Sequence, residues 1–153
     1  MMTNCQILLQ SIGDAILLVD PDGYIQYINP AATKLTGYLE TELINQPFYK
    51  LYYTPDDSIK SSYETGMALK QGKFVTENWK KRKDGSRFWA ELSIYPVMDK
   101  NELTGFSCVL RDVSERKKME LAFRESEERY RLMVDAVRDY AIFMLDPKGH
   151  IIS

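Results

Sequence analysis

The sequence of 153 residues is 44% hydrophobic and 27% charged, with a formal net charge of -2. This balance is typical of a globular protein, and it disfavours a disordered chain and a strongly basic nucleic-acid-binding protein. No apolar run approaches the roughly 20 residues of a membrane-spanning helix, and nothing at the N-terminus is typical of a signal peptide. Because Cys5 and Cys108 are too few for a disulfide framework, we expect a cytoplasmic protein with reduced thiols.

The first part of the chain predicts a short helix, a β-hairpin and a capped helix. Residues 1–10 are expected to form an amphipathic lead-in helix. Two apolar stretches, Ala15–Asp20 and Tyr24–Asn29, flank a Pro-Asp-Gly turn and therefore predict paired strands. Asn29-Pro30 suits the cap and the first position of a following helix, and Gly37 suits its end.

The middle of the chain predicts a longer helix and then three antiparallel strands. Thr54-Pro55-Asp56-Asp57 is typical of a helix start, and this helix is expected to run to about Gln71. Two alternating strands flank Lys83-Asp84-Gly85-Ser86, which is a strong hairpin turn, and a last strand follows at Gly105–Val113. Strands and helices that are segregated in this way predict an α+β fold rather than a parallel doubly wound sheet.

Residues 114–138 differ from the rest of the chain, with seven Lys or Arg, six Asp or Glu, and no Gly or Pro. Acid–base pairs such as Glu120 and Arg124 follow the favourable i to i+4 order on a helix. Alternating steps of four and three define a heptad seam with one polar member: Met119, Phe123, Ser126, Tyr130, Met133 and Val137. Since so charged a helix has little to bury alone, we expect it to pair with a second copy. The alternative is a single helix that packs back on its own domain.

An internal repeat indicates how the chain is organised. The segment Asp20–Ile25 returns with few changes as Asp146–Ile151, and Ala15-Ile16 returns as Ala141-Ile142 at the same offset. Self-similarity at a fixed spacing defines a repeating unit, which here is one domain with its connecting helix. We therefore expect a domain at 11–113, a connecting helix at 114–138, and at 139–153 the truncated start of a second domain from a longer protein.

Six segments carry a family resemblance: Ser11–Asp20, Tyr27–Ala32, Thr36–Tyr38, Arg82–Trp89, Gly105-Phe106 and Arg111–Arg116. Any one segment is weak, but in this order and spacing they resemble the PAS (Per-Arnt-Sim) sensor domains with their C-terminal PAC segment. The resemblance implies a five-stranded antiparallel sheet, with short helices over one face and a pocket between them. It also implies a sensory input domain with a downstream PAS domain and an output domain. The usual hosts are two-component sensor histidine kinases and cyclic-dinucleotide enzymes.

Departures from the family's patterns limit the cofactor. The light-oxygen-voltage subgroup has its flavin-binding Cys where this chain has Phe48, and its flavin-contacting amides fall at Lys80, Ala90 and Leu110, none of which is an amide. A flavin–cysteine adduct is therefore disfavoured. Haem ligated by His is disfavoured as well, because the predicted helix at 55–71 contains no His. A non-covalent flavin or a small metabolite stays open as the ligand, and its identity is unknown.

The chain offers no nucleophile beside a base, no phosphate-binding loop and no metal-ligand cluster, so we predict neither a catalytic centre nor a metal site. The candidate pocket residues are Phe48, Trp79, Trp89, Cys108 and Leu110. The tryptophans could stack on a flat ligand, although strand packing is favoured for them. Cys108 is interpreted as a buried inert thiol. The basic run Lys80-Lys81-Arg82-Lys83 is interpreted as a solvated edge strand rather than a nucleic-acid site.

Asp112 and Ser114 mark the place where the last strand becomes the helix. Ordinary capping by Ser114, with Glu115 behind it, is the simplest interpretation. The resemblance implies in addition that the signal leaves the domain here, so that pocket occupancy would re-register a helix pair formed through 114–138 and the N-terminal helix. Two other functions stay open: a ligand-free dimerisation or spacer module with a filled core, and a flavin redox sensor without a Cys adduct. Neither a nucleic acid nor a membrane is expected as a partner of this segment.

Overall fold

The computed structural model describes residues 4–53 and 57–144, which divide after Ser114 into two compact units. The helices are α1 (Asn4–Ser11), α2 (Pro30–Thr36), α3 (Glu40–Leu43), a 3-10 helix (Phe48–Leu51), α4 (Asp57–Gln71) and α5 (Ser114–Met144). The strands are β1 (Ala15–Val19), β2 (Ile25–Ile28), β3 (Phe74–Lys81), β4 (Arg87–Asp99) and β5 (Glu102–Asp112). All five strands and the short helices belong to the first unit, and α5 beyond Ser114 makes up the described part of the second.

The five strands form one antiparallel sheet in the order β2-β1-β5-β4-β3. The two predicted hairpins are present, with Leu17 opposite Ile28 in the first and Trp79 opposite Trp89 in the second. The last strand, β5, lies in the middle of the sheet and is paired on both sides, with β1 and with β4. The α+β class and the five-stranded sheet predicted from the sequence are confirmed.

Asn29 organises the entry to α2 as its sequence context predicts. Its side-chain oxygen accepts hydrogen bonds from the amides of Ala32 and Ile16, at 3.0 and 2.9 Å. Its side-chain nitrogen donates to the carbonyls of Leu9 and Asp14. One buried amide therefore caps a helix and also joins that helix to β1 and α1, which satisfies backbone groups that would otherwise be buried without partners.

The core lies between one face of the sheet and the short helices. Every second residue of the central strands points into it, as the burial pattern of β4 shows from Phe88 to Ile94. The buried residues from the strands include Leu17, Phe88, Leu92, Ile94, Cys108 and Leu110, and those from the helices include Ala32, Leu43, Phe48, Leu51 and Ala68. Since side chains alternate between the two faces of a strand, the residues in between lie on the opposite face of the sheet, away from the helices.

The second unit differs from the expected one. Helix α5 ends at Met144 rather than at 138, so Ala141-Ile142 is helical where the repeat predicts a strand. The rest of the expected second domain, 145–153, and the predicted helix start at 54–56 lie outside the described residues. Within the described ranges, none of the helices has the length and apolar content needed to traverse a lipid bilayer.

Candidate signal-relay junction and buried polar cluster

Asp112, the last residue of β5, joins the start of α5 to the turn between β3 and β4. Its Oδ1 accepts a hydrogen bond from the backbone amide of Ser114, and its Oδ2 accepts one from Nη2 of Arg82, both at 2.9 Å. The carboxylate therefore satisfies the first amide of α5, and its negative charge lies at the favourable end of the helix dipole. Because both side chains of the ion pair are about one-third exposed, its attraction contributes only about 1 kcal/mol or less. The main consequence of the Arg82–Asp112 pair is that it connects the turn between β3 and β4 to the start of α5.

Arg82 extends this connection to α2 and to the core. Its Nε donates to the carbonyl of Leu35, at the C-terminal end of α2, at 3.1 Å. Its guanidinium also lies 4.5 Å from the centre of the Phe88 ring, and Phe88 is buried in the core. Arg82 is therefore a single side chain in contact with a helix end, a core aromatic ring and the end of β5.

Ser114 adds a second link, which ties the helix start to β4. Its hydroxyl accepts a hydrogen bond from the backbone amide of Trp89 at 2.9 Å, and the backbone amide of Val113 donates one to the carbonyl of Trp89 at the same distance. Both backbone groups of Trp89 thus hold the strand-to-helix turn. The carboxylate of Asp112 caps the backbone amide of Ser114. The Ser114 hydroxyl instead accepts a hydrogen bond from the neighbouring strand β4, and helix capping alone does not predict this contact.

The structure separates the five predicted pocket residues into two groups. Phe48, Cys108 and Leu110 are buried between the sheet and the helices. Trp79 and Trp89 lie on the opposite face, where their rings meet edge to face with centroids 5.1 Å apart. This follows from the alternation of side chains along β3 and β4, where the even-numbered positions point inward. The five residues therefore do not line a single site.

A polar cluster inside the core was missed by the sequence analysis. Lys80, from the basic run interpreted as a solvated edge, has no exposed surface, and that interpretation is wrong for this residue. Lys80 Nζ donates to Oδ1 of Asn78 at 2.5 Å and lies 3.5 Å from the centre of the Tyr52 ring. The Tyr52 hydroxyl donates to Oε2 of Glu64, and Nδ2 of Asn78 donates to Oε1 of the same carboxylate at 3.4 Å. Glu64 and Tyr52 are each only 2% exposed.

Burial and charge determine how these groups titrate. Burial first, and then the neighbouring charge of Glu64, raise the pKa of Tyr52, so its phenol stays neutral and donates to the carboxylate. Burial likewise raises the pKa of Cys108 to about 12; the charge of Glu64 adds to this shift and that of Lys80 opposes it. The thiol of Cys108 is therefore protonated at neutral pH and is a weak nucleophile.

A helical spacing in the sequence could have revealed the acid of this cluster. Ser61, Glu64 and Ala68 lie three and four residues apart and form the buried stripe of α4. The stripe is short of large apolar side chains, which hides it from a search for hydrophobic periodicity. Lys80 follows Phe74, Thr76 and Asn78 at a spacing of two, but its charge concealed that it shares their face of β3.

A cleft of about 480 Å³ opens beside the junction. Among the residues that line it are Asp14, Lys34, Leu110, Arg111 and Asp112. Arg111 donates to Asp14 across the β5–β1 pair at 2.9 Å, and its Nη1 lies 4.0 Å from Oε1 of Glu91, so with Arg82–Asp112 three ion pairs border the end of β5. Across the described part of the chain, no group of three or more His, Cys, Asp or Glu side chains has an arrangement that could hold a metal ion.

Known proteins with similar sequences are signalling proteins. The family model for the PAS domain matches residues 13–115. Two-component system protein A of Emericella nidulans is 39% identical over 127 residues, which cover 79% of this chain and 19% of that protein. Sensor protein FixL of Bradyrhizobium diazoefficiens is 33% identical over 132 residues, which cover 80% of this chain and 25% of that protein. The chain thus spans a quarter or less of the length of these two relatives.

Solved structures give the same result for the fold. The PAS domain of a protein from Colwellia psychrerythraea superimposes with a TM-score of 0.67 at 27% sequence identity, over 71% of this chain and 93% of that one. The structure of an RNA-binding light-oxygen-voltage receptor superimposes with a TM-score of 0.68 at 25% identity, over 81% of this chain and 36% of that one.

Proposed function

The chain belongs to the PAS domain family, and from this premise we propose that it is the sensory input module of a multidomain signalling protein, most simply a histidine kinase or a cyclic-dinucleotide enzyme. In this proposal the domain has no catalytic centre of its own. It takes up a small ligand, or a signal from a partner, and passes the change to a paired helix that leads to downstream PAS and output domains. The host works in the cytoplasm.

The contacts of Asp112 are the observation that carries the proposal. This one side chain holds the first amide of α5 and, through Arg82, is joined to the end of α2 and to a core aromatic ring. A displacement of Phe88 or of α2 would therefore change the position of Arg82 and then that of Asp112. A ligand shifts such an equilibrium only by the difference in its affinity for the two arrangements, and in this proposal the ligand binds in the core on the side of Phe88.

The proposed partner of the output helix is a second copy of the chain. The five apolar side chains of the heptad seam are 60 to 70% exposed on α5: Met119, Phe123, Tyr130, Met133 and Val137. Their regular spacing suits a two-stranded coiled coil in which each helix covers the seam of the other. On α1, Ile7 and Leu8 are exposed as well, which supports a contribution of the N-terminal helix to the dimer.

The buried charges favour a sensor over the second candidate, a ligand-free spacer. A spacer needs only a packed core, and replacing a buried ion pair with apolar side chains of similar volume often stabilises a protein by about 1 to 4 kcal/mol. In a spacer, Glu64 and Lys80 would then lower the stability of the fold without contributing to its function. A non-covalent flavin sensor, the third candidate, predicts a yellow protein.

Two measurements test the proposal. An absorbance spectrum of the purified chain, followed by mass spectrometry of any small molecule released on denaturation, should identify a ligand that is not a Cys-adduct flavin. In the full-length protein, Asp112→Ala should leave the fold intact and abolish the response of the output to the signal. Asp99→Ala is the matched control, because Asp99 is an exposed acid at the other end of the β4–β5 pair. Normal regulation of the Asp112→Ala protein would overturn the proposed relay.

A further inference from the structure

The interior of the domain contains a matched pair of charges. Among the residues that the structure describes, Glu64 and Lys80 are the only buried side chains of the Asp, Glu, Lys or Arg types, one acidic and one basic. Glu64 comes from α4 and Lys80 from β3, so the two charges approach the core from its two layers. Buried charges are stable only when they are compensated nearby, and Tyr52 and Asn78 each contact both Glu64 and Lys80.

Neutral polar groups separate the acid from the base. The amide of Asn78 bridges them, since its oxygen accepts from Lys80 at 2.5 Å and its nitrogen donates to Glu64 at 3.4 Å. The second of these contacts is long, so the hydrogen bond between Asn78 and Lys80 is stronger than the one between Asn78 and Glu64. Tyr52 contacts both charges, through its hydroxyl on Glu64 and through its ring beneath the Lys80 ammonium.

The polar cluster lies close to the edge of the sheet. Asn78 is half-buried, unlike the two charges that it joins, and β3 is an edge strand. The 3-10 helix reaches this edge where Tyr52 forms an isolated antiparallel bridge with Lys80. A small molecule that displaces the Asn78 amide would enter between the two charges without crossing the central strands.

Apolar side chains border the polar cluster. The rings of Phe48 and Tyr52 meet edge to face with centroids 5.7 Å apart. Cys108 is close enough to both Glu64 and Lys80 for their charges to act on its thiol. The side chains of this part of the core therefore combine one acid, one base and apolar groups, which together are the complement of a compact molecule with an ammonium, a carboxylate and a hydrocarbon group.

We propose, on the basis of the sensory function proposed above, that the Glu64–Lys80 pair selects a small zwitterion of the amino-acid class. The carboxylate of the ligand replaces the Asn78 oxygen as acceptor for Lys80, and its ammonium donates to Glu64. The charge balance of the core is then the same before and after binding. A ligand with a net charge would add an uncompensated charge to the core, and buried groups that are left without partners discriminate strongly against such analogues.

A set of matched ligands tests this rule on the wild-type chain by isothermal titration calorimetry. Leucine carries both charges, 4-methylpentanoate is the same hydrocarbon with the carboxylate alone, and 3-methylbutylamine has the ammonium alone. Alanine and phenylalanine extend the test to a smaller and a larger zwitterion. We expect at least one zwitterion to bind, and we expect leucine to bind about tenfold or more tightly than either of its single-charge analogues. Binding of none of the three zwitterions, or equal binding of leucine and an analogue, would overturn the inference.

Charge-changing variants provide a second test. Glu64→Gln leaves the base alone in the core and should shift the preference at least about tenfold towards 4-methylpentanoate, whereas Lys80→Met should shift it equally towards 3-methylbutylamine. Lys81→Met, one residue along β3 on its other face, is the matched control and should keep the preference for leucine. Circular dichroism establishes whether each variant is folded. If a variant does not fold, the comparison among the wild-type ligands decides.

The outcome also separates this inference from the function on which it rests. If the purified chain binds or releases a molecule with a net charge and rejects zwitterions, the charge rule is refuted and the sensory function stands. If it binds no small molecule and the full-length output is indifferent to Asp112→Ala, both proposals are refuted.

Discussion

Replacing Lys80 with Met should destabilise the domain strongly, although the two side chains have similar volume. Lys80 has no exposed surface, and its ammonium contacts the Tyr52 ring and the Asn78 oxygen. Its loss leaves Glu64 as a buried carboxylate without a buried base among the described residues. Breaking a buried pair by removing one partner typically costs about 3 to 5 kcal/mol. We expect a loss near the lower end of this range, because Tyr52 and Asn78 still donate hydrogen bonds to Glu64.

The measurement is urea denaturation followed by circular dichroism at pH 7, with Lys81→Met as the control. For a chain of this size the slope is about 1 to 3 kcal/mol per molar urea, so the midpoint should fall by about 1 M or more. The control should change the free energy of unfolding by no more than about 0.5 kcal/mol, as is usual for a residue outside the core. In the double variant Glu64→Gln/Lys80→Met the loss should be smaller than the sum of the two single losses. A Lys80→Met midpoint equal to that of the control would show that the ammonium is not part of a buried cluster, and the reasoning on charge balance would be refuted.

Three further predictions concern the thiol, a close backbone contact and the seam. The pKa of Cys108 in the folded protein, about 12, lies above the ordinary value of 9.0, so the free energy of unfolding should fall as the pH rises from 9 to 12, by up to about 1.4 kcal/mol per pH unit. Denaturation curves of Cys108→Ala at several pH values should show a flatter slope. Gly105→Ala places a Cβ against the backbone of β1 and should cost about 2 kcal/mol or more in thermal unfolding. The control Gly66→Ala, in open space on α4, should be neutral or stabilising, and equal effects of the two variants would contradict the close contact. Phe123→Glu should weaken the dimer in analytical ultracentrifugation and Leu121→Glu, outside the seam, should not; a monomeric wild type would contradict the seam.

Local signals predicted much of the fold. The Asn29-Pro30 cap, the Asp-Gly turn between β3 and β4, and the alternating strands all have short-range causes, and they are present in the structure. The position of β5 between β1 and β4 was not predicted, because strand order depends on contacts between distant residues. The end of α5 lies at Met144 and not at the predicted 138, because the repeat led us to interpret Ala141-Ile142 as the start of a strand.

The candidate site was harder to predict because burial overrides the usual preferences of charged residues. Lys80 lies within a basic run, and nothing nearby in the sequence shows that its face of β3 meets Glu64 of α4. The two tryptophans were grouped with the pocket by residue type, whereas their odd-numbered positions place them on the other side of the sheet. Asp112 was selected by its place at the end of β5, but its link to α2 depends on Arg82, which lies 30 residues earlier.

The pairing of Trp79 with Trp89 gives the protein a built-in optical reporter. These are the only two tryptophans in the sequence, and they lie in contact with each other on β3 and β4. One of them holds the strand-to-helix turn through its backbone amide and carbonyl. The intrinsic fluorescence excited at the red edge of the protein absorption band therefore comes from one spot, next to the first turn of α5. A change in emission on adding a ligand would report on the output end of the domain, whereas a binding isotherm gives no information about this end. The measurement needs no attached dye.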